Sequence, residues 1–449
     1  MGKKMFSNRD LALLYLPLVL EQAMSYSVEM ADSMMVSSLG EATVSGVSLM
    51  AFIMTLLISI FSALATGGAV ISSQALGAGD QKRAVDAANQ LVKVSCMIGF
   101  VIGVLVLWGR VFLLDTLYSK IADDVRSAAL TYITVVDFSI PFLAIYNSLA
   151  ALFRVMGDSK SPMWVMFSMN LLNVAGNALF VFGFHWGVFG VALPTVFSRI
   201  GAAGILFFKL CKRKGTIYLD HPFISLFDWG IIKKILGIGV PYALENGLFN
   251  IGKLLLTTLM ATLGTASIAA NSVGGNIVMF QILAGTAIGL GLTTVVSQCI
   301  GAKDIEQAKY YTKKTFIIIY VSHFACTVVI WLLMPILLRI YDLSAEAERL
   351  LLIYYWMHGI ASFTIWPYAN TMPIVFRVGG NSKFSMAVST ATMICCRIIL
   401  AYVLVLHFQV GVVGIWTAMV CDWVIKGTIY LWYYHSRRWL KKSNLAAQP

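Results

Sequence analysis

Long apolar runs separated by short polar connections occupy almost the whole chain. They fall near 11–37, 46–76, 89–117, 128–153, 162–183 and 188–210, and again near 231–263, 268–300, 311–340, 350–376, 384–407 and 411–435. A helix needs roughly 20 apolar residues to cross about 30 Å of hydrocarbon, so the pattern predicts an all-α membrane protein of twelve transmembrane helices. The runs are far longer than the alternating segments of roughly ten residues that build a membrane β-barrel. A single sizeable polar stretch, 211–230, divides them six and six. The expected organisation is an N-terminal six-helix lobe (1–210), a cytoplasmic linker (211–230) and a C-terminal six-helix lobe (231–449).

The two halves repeat each other in step. Pro17, Glu21, Leu39, Gly40, Gly67, Gln74, Gly77, Ala78 and Ala84 recur as Pro241, Glu245, Leu263, Gly264, Gly291, Gln298, Gly301, Ala302 and Ala308. The offset is 224 throughout, as from 21 to 245, and no gap is needed. Phe-Arg-Val-Met-Gly-Asp-Ser-Lys from Phe153 returns as Phe-Arg-Val-Gly-Gly-Asn-Ser-Lys from Phe376, and Gly-Val-Phe-Gly-Val from Gly187 as Gly-Val-Val-Gly-Ile from Gly411. An even number of spans per copy makes this a parallel repeat. Internal repeats within apolar sequence mark transporters, with the substrate path between the copies.

Composition agrees with a membrane setting: 59% of the 449 residues are hydrophobic and 12% charged, well outside the soluble range. With the N-terminus placed inside, most of the 33 Lys and Arg residues fall on the cytoplasmic side, as the positive-inside tendency requires. The net charge of +12 therefore reads as topology and contact with anionic lipid. No basic cluster interleaved with aromatics points to nucleic acid. The expectation is a multi-pass protein of the inner (cytoplasmic) membrane, both termini cytoplasmic, working as a monomer. Seven cysteines at no metal-ligand spacing read as buried thiols. Gly289-Leu290-Gly291 lies in an apolar helix with no strand before it, so a dinucleotide loop is excluded. No nucleophile or paired His/Asp arrangement stands at a membrane boundary, which argues against an enzyme.

Ionised groups within spans are expensive, about 2.5 to 3.5 kcal/mol at the centre of a helix, and each calls for a reason. On the first span, Glu21 and Asp32 differ by eleven positions and share a face at 100° per residue. The fifth span carries Asn170, Asn173 and Asn177, the last two at i, i+4 on one face, and Thr195 follows on the sixth. A carboxylate with neutral oxygens suits a desolvated Na⁺, and the same group could instead take up a proton. The repeat supplies a control: Asp32, Asn173, Asn177 and Thr195 correspond at offset 224 to Leu256, Arg397, Ala401 and Met419. The scaffold is duplicated but this cluster is not, which places a coupling-ion site (H⁺, or Na⁺ at Asp32, Asn173 and Asn177) in the first lobe. In the second lobe, Glu245 with Lys253, and Asp422 with Lys426 and Arg397, read as internal ion pairs. Glu245 mirrors Glu21, and the two are candidates for a proton or substrate path. Pro17 and Pro241 each remove a helix hydrogen bond and are candidate hinges. His358 reads as a satisfied core histidine.

Several of these segments together resemble the multidrug and toxic compound extrusion (MATE) transporters over the full length. The resemblance rests on Val-Glu-Met-Ala-Asp-Ser-Met-Met-Val in the first span ending at Leu39-Gly40, Gln74-Ala-Leu-Gly77, Phe153 to Asp158, Asn173 through Phe182-Gly183, and Ala418 to Trp423. It implies two six-helix bundles, a cation-binding aspartate at Asp32, and Asn173, Asn177 and Thr195 as its neighbours. The chain departs from the norfloxacin-type branch in the second lobe: its acid, Glu245, sits only four residues after the proline, and 356–376 holds no carboxylate.

The expected activity is antiport of small amphipathic, often cationic compounds against H⁺ or Na⁺, with no cofactor beyond that ion; the expected partners are those compounds and the lipid bilayer, and no nucleic acid. Met24, Met30, Phe153, Met166, Trp356 and Trp366 are candidate substrate-lining residues, since methionine and aromatic side chains repack around varied ligands. The rival is a lipid-linked oligosaccharide flippase of the same superfamily, for which Arg199, Lys253 and Arg397 would have to supply a cationic cavity.

Overall fold

A computed structural model describes residues 4–117, 122–212, 215–220, 223 and 226–440. The described residues are helical apart from turns and short connections, and Cα proximity groups them into two compact units, Phe6–Ala243 and Met1–Met5 with Leu244–Pro449.

The first unit begins with α1 (Asn8–Ser37), whose start is fixed by a capping box: Ser7 Oγ accepts from the Asp10 N–H and Asp10 Oδ2 from the Ser7 N–H. Then come α2 (Glu41–Gly77), α3 (Gln81–Leu117), α4 (Asp123–Asp137), α5 (Ile140–Val155), α6 (Lys160–Ala178) with a π-helical turn at Leu179–Gly183, and α7 (Gly187–Cys211). The α4–α5 pair bends by 53°. Pro141 is the cause, since it has no N–H to donate to the carbonyl of Asp137. α1 packs on α6 and α6 on α7, while α2, α3 and α5 pack together around a core containing Leu91, Leu149, Leu152 and Leu206. Gly68 lets α2 approach this core: a Cβ there would come within 2.5 Å of Leu91.

Both units draw on α8 (Trp229–Ala261). The second continues with α9 (Thr265–Gly301), α10 (Ile305–Tyr341) and α11 (Ala345–Ser362), then a π-helical turn Pro367–Thr371 and α12 (Met372–Val378). It ends with α13 (Ser382–Thr392), the π-helical stretch Met393–Ile399, α14 (Leu400–Tyr402), a π-helical turn Val403–His407 and α15 (Val412–His435). α9 packs on α10 and α11, and α15 on α11 and on the π-helical segments before it.

Among the described residues, nine helices are long and apolar enough to cross a membrane, and the α4–α5 pair makes a tenth. The other two spans expected from sequence are also helical, but polar side chains lower their hydropathy. α8 carries Lys233, Lys234, Glu245 and Lys253, and α11 opens on Glu346, Glu348 and Arg349.

The repeat has a backbone cause. Gly40 and Gly264 turn the chain between consecutive helices at φ of 95° and 90°, a conformation L-residues avoid. Gly157 and Gly380, closing the Phe-Arg-Val motifs, stand at φ of 80° and 81°. Large exposed side chains such as Trp108, Phe112 and Phe208 lie on helices with spanning hydropathy, where hydrocarbon rather than water is their surrounding.

Candidate functional site

In the first unit the cluster foreseen on α1, α6 and α7 comes together. Asn177 Nδ2 donates to Asp32 Oδ1 at 3.0 Å. The Asn173 amide meets the same carboxylate, 3.0 Å from Oδ1 and 3.2 Å from Oδ2, through its nitrogen. Its oxygen then accepts from Thr195 Oγ1 at 3.1 Å and the Thr195 N–H at 3.3 Å. An oxygen in the nitrogen's place would face a carboxylate, so the network itself sets the amide. α6 delivers both asparagines on one face, and its contact with α1 brings them to Asp32. Asn173 and Asn177 are buried and Asp32 half-buried.

These amides replace water around a carboxylate held in an apolar bundle, reducing its desolvation cost. The carboxylate can exchange its charge with a proton. The fit for Na⁺ is also testable from the donors: Asp32 supplies two oxygens and Thr195 a hydroxyl, and Asn177 Oδ1 is a buried acceptor without a hydrogen-bond partner. Among the described residues no group of three or more His, Cys, Asp or Glu side chains is gathered for a metal. Any cation here would be held by one carboxylate and neutral oxygens.

Sequence reasoning missed part of the surroundings. Tyr132 of α4 lies within electrostatic reach of both Asp32 and Arg199, and Arg199 Nη1 donates to Ser139 Oγ at 3.0 Å. No spacing rule links these residues; the packing of α4 on α7 brings them together.

The other candidates are placed differently. Glu21 is buried and receives Arg154 Nη2 at 2.9 Å. Glu245 receives Arg377 Nη1 at 3.3 Å, Ser385 Oγ at 3.3 Å and Ser389 Oγ at 2.8 Å. Both acids are thus engaged by arginines, and Glu245 pairs with Arg377 rather than Lys253. The two arginines belong to the repeated Phe-Arg-Val motifs and count from sequence among the cytoplasmic-side cations. The repeat of an acid and a base together was the signal that they pair. Arg397 and Lys426 both lie against Asp422, at 3.5 and 3.8 Å, as expected. His358 is buried with Nδ1 2.9 Å from Gln281 Oε1. α1 and α8 run unbroken through Pro17 and Pro241.

Of the lining candidates, Phe153 and Trp366 are core residues, Phe153 in the first unit's apolar cluster beneath Lys209 and Trp366 against His323. Met24 and Met166 are half-buried and Trp356 is exposed. The Glu29 and Met30 side chains lie outside the described residues.

A helical membrane protein made of two repeated halves, with an ionisable pocket in one of them, is of the transporter class. The chain belongs to the MatE family: the family's model matches residues 17–179 and again 241–403, once in each half. It is similar to an uncharacterized transporter, YisQ, of Bacillus subtilis (27% identity, covering 95% of this chain and 94% of the relative). It is also similar to a probable multidrug resistance protein, NorM, of Thermotoga maritima (24% identity, 98% and 95%). Its fold matches a MATE crystal structure in the bent conformation with a TM-score of 0.88, at 20% identity over 98% of this chain and 97% of that one.

Proposed function

We propose that this chain is an efflux antiporter for small amphipathic organic compounds, driven by H⁺ or Na⁺ bound at Asp32. One observation carries the reading: within a span, the Asp32 carboxylate is met by two neutral amides, those of Asn173 and Asn177. Glu21, Glu245 and Asp422 face cations instead. A carboxylate held by neutral donors can change charge without stranding a buried arginine, whereas protonating a paired acid leaves its partner uncompensated. The names of the NorM relatives support multidrug compounds as the substrates.

A bound ion moves the protein between conformations only through different affinity for them. Neutralising Asp32 weakens its hold on the two amides of α6, so α1 and α6 are the pair whose packing the ion would alter. Pro17 lies fifteen residues before Asp32 on α1, where a missing hydrogen bond makes bending cheap. The protein works in this reading as a monomer in the cytoplasmic membrane, termini inside.

The test is ethidium efflux from proteoliposomes under separately imposed proton and sodium gradients. Efflux should follow one of them and fall to the passive leak in Asp32→Asn, which keeps the side-chain shape but cannot bind either ion well. Full activity in that variant would remove Asp32 from the mechanism, and transport indifferent to both gradients would favour the flippase reading.

A further inference from the structure

We propose that the second lobe holds an anion-recognition site centred on Arg397, which selects amphipathic substrates bearing a carboxylate. The proposal rests on the transporter reading above and names a substrate class for it.

Arg397 occupies the position that Asn173 holds in the first copy, at offset 224. The other members of the first-lobe pocket have become Leu256, Ala401 and Met419, all buried. Every oxygen donor of the cation pocket has therefore been lost, and a guanidinium stands in their place. The backbone changes at the same point. The π-helical turn Leu179–Gly183 recurs as Val403–His407, whereas the π-helical stretch Met393–Ile399 around Arg397 corresponds to regular helix in α6. π-helical turns re-aim side chains and concentrate at functional sites.

Arg397 is 8% exposed. Its Nε and Nη1 have no hydrogen-bond partner among the described residues, although a buried guanidinium normally has its donors filled. Asp422 Oδ2 lies 3.5 Å from Nη1 as its ion-pair partner, a long contact for two buried charges. Lys426 adds a second buried cation, 3.8 Å from the same Asp422 oxygen. One face of the guanidinium rests on Phe249, 5.0 Å from the ring centre. Lys253, one turn further along α8 from Phe249, is exposed. Tyr354 and His358 of α11 lie within electrostatic reach of Arg397, and Glu245 within reach of Lys426. Glu245 is already committed to Arg377. The buried cations Arg377, Arg397 and Lys426 thus outnumber Glu245 and Asp422. Excess buried positive charge with open donors beside an aromatic ring fits an aromatic or aliphatic carboxylate: the guanidinium takes the oxygens and Phe249 the apolar body.

Equilibrium dialysis of the full chain in phosphatidylcholine nanodiscs tests this with 2-naphthoate, its neutral match 2-naphthamide, and ethidium. Naphthoate should bind about tenfold more tightly than naphthamide, as one new charge-assisted contact warrants. Arg397→Gln should erase that preference and leave ethidium binding unchanged. Asp422→Asn, which removes the competing carboxylate and reads the site even if Arg397→Gln does not fold, should strengthen naphthoate binding. A native protein without the preference, a preference surviving Arg397→Gln, or weaker naphthoate binding in Asp422→Asn overturns the proposal. So does loss of naphthoate binding when phosphatidylglycerol replaces half the lipid, because the site would then belong to a lipid phosphate. These readouts need no gradient: failed ethidium efflux with a positive dialysis result would sink the antiport reading alone, and the converse would sink this one alone.

Discussion

Each lobe buries a glutamate against an arginine at matching positions, yet the two pairs are finished differently. In the second lobe, Glu245 also receives Ser385 and Ser389, and the Tyr430 hydroxyl lies 2.8 Å from Ser389 Oγ. In the first, Glu21 Oε2 and Arg154 Nε have no hydrogen-bond partner among the described residues. The repeat shows why: Ser389 corresponds, at the offset of 223 set by the Phe-Arg-Val motifs, to Met166, and Tyr430 at offset 224 to Leu206, and neither counterpart can donate. Duplication preserved the charges, and the surrounding hydroxyls are present in one copy. The side chains at the two proposed sites diverged further, to a carboxylate with amides in one lobe and a guanidinium in the other. The pairs read as scaffold and the pockets as chemistry.

That division is most exposed at Glu245–Arg377. Arg377→Ala should cost about 3 to 5 kcal/mol, the range for stripping one partner from a buried ion pair, seen as a large fall in the thermal midpoint of the detergent-solubilised protein. The double change Glu245→Gln with Arg377→Met should recover most of it, since no charge is then stranded. Arg154→Ala should cost at least as much, because it strands Glu21, whose side chain is 4% exposed against 13% for Glu245, with no serine donors like those that remain on Glu245. An Arg154 variant that is fully stable yet transport-dead would break the comparison, because that pair would then belong to the mechanism.

The Asp32 pocket predicts an intermediate effect. Asn177→Ala removes a hydrogen bond to an ionised group, worth about 1.5 to 3 kcal/mol, and should weaken gradient-driven ethidium efflux more than it lowers thermal stability. The corresponding Ala401 already lacks the amide, so Ala401→Asn in the second lobe should leave coupling untouched. If the reverse pattern appears in paired efflux measurements, the assignment of ion capture to the first lobe fails.

Much of this was legible in sequence because membranes enforce simple rules. Run length gives spans, and unpaired charge within a span is costly enough to flag Asp32, Glu21, Glu245 and Asp422 individually. Helical periodicity put Asn173 and Asn177 on one face, and the repeat singled them out. Partners were harder to read. Arg154 and Arg377 stand near helix ends, where a cation could equally face water, so their inward direction depends on packing that no local pattern encodes. Tyr132 comes within reach of Asp32 and Arg199 through tertiary packing of α4 on α7, and the π-helical stretch at Arg397 leaves no composition signal. Phe153 and Trp366 show the opposite failure: aromatic character alone does not separate a ligand wall from a core.

The smallest predicted effect examines the scaffold half of the comparison. At Gly40 and Gly264, φ is 95° and 90°, and an added Cβ would meet nothing within 4 Å. Alanine at either site therefore introduces no clash, only the strain of a positive φ, which costs of order 1 to 3 kcal/mol. With backbone angles this close, Gly40→Ala and Gly264→Ala should lower the thermal midpoint by similar amounts. Gly40→Ala should also leave the ion dependence of efflux intact, because Asp32 lies two turns before it on α1. Unequal losses would mean that the turn after α1 carries a load which its counterpart after α8 does not, and the inherited turn would then have to be counted with the pocket rather than with the frame.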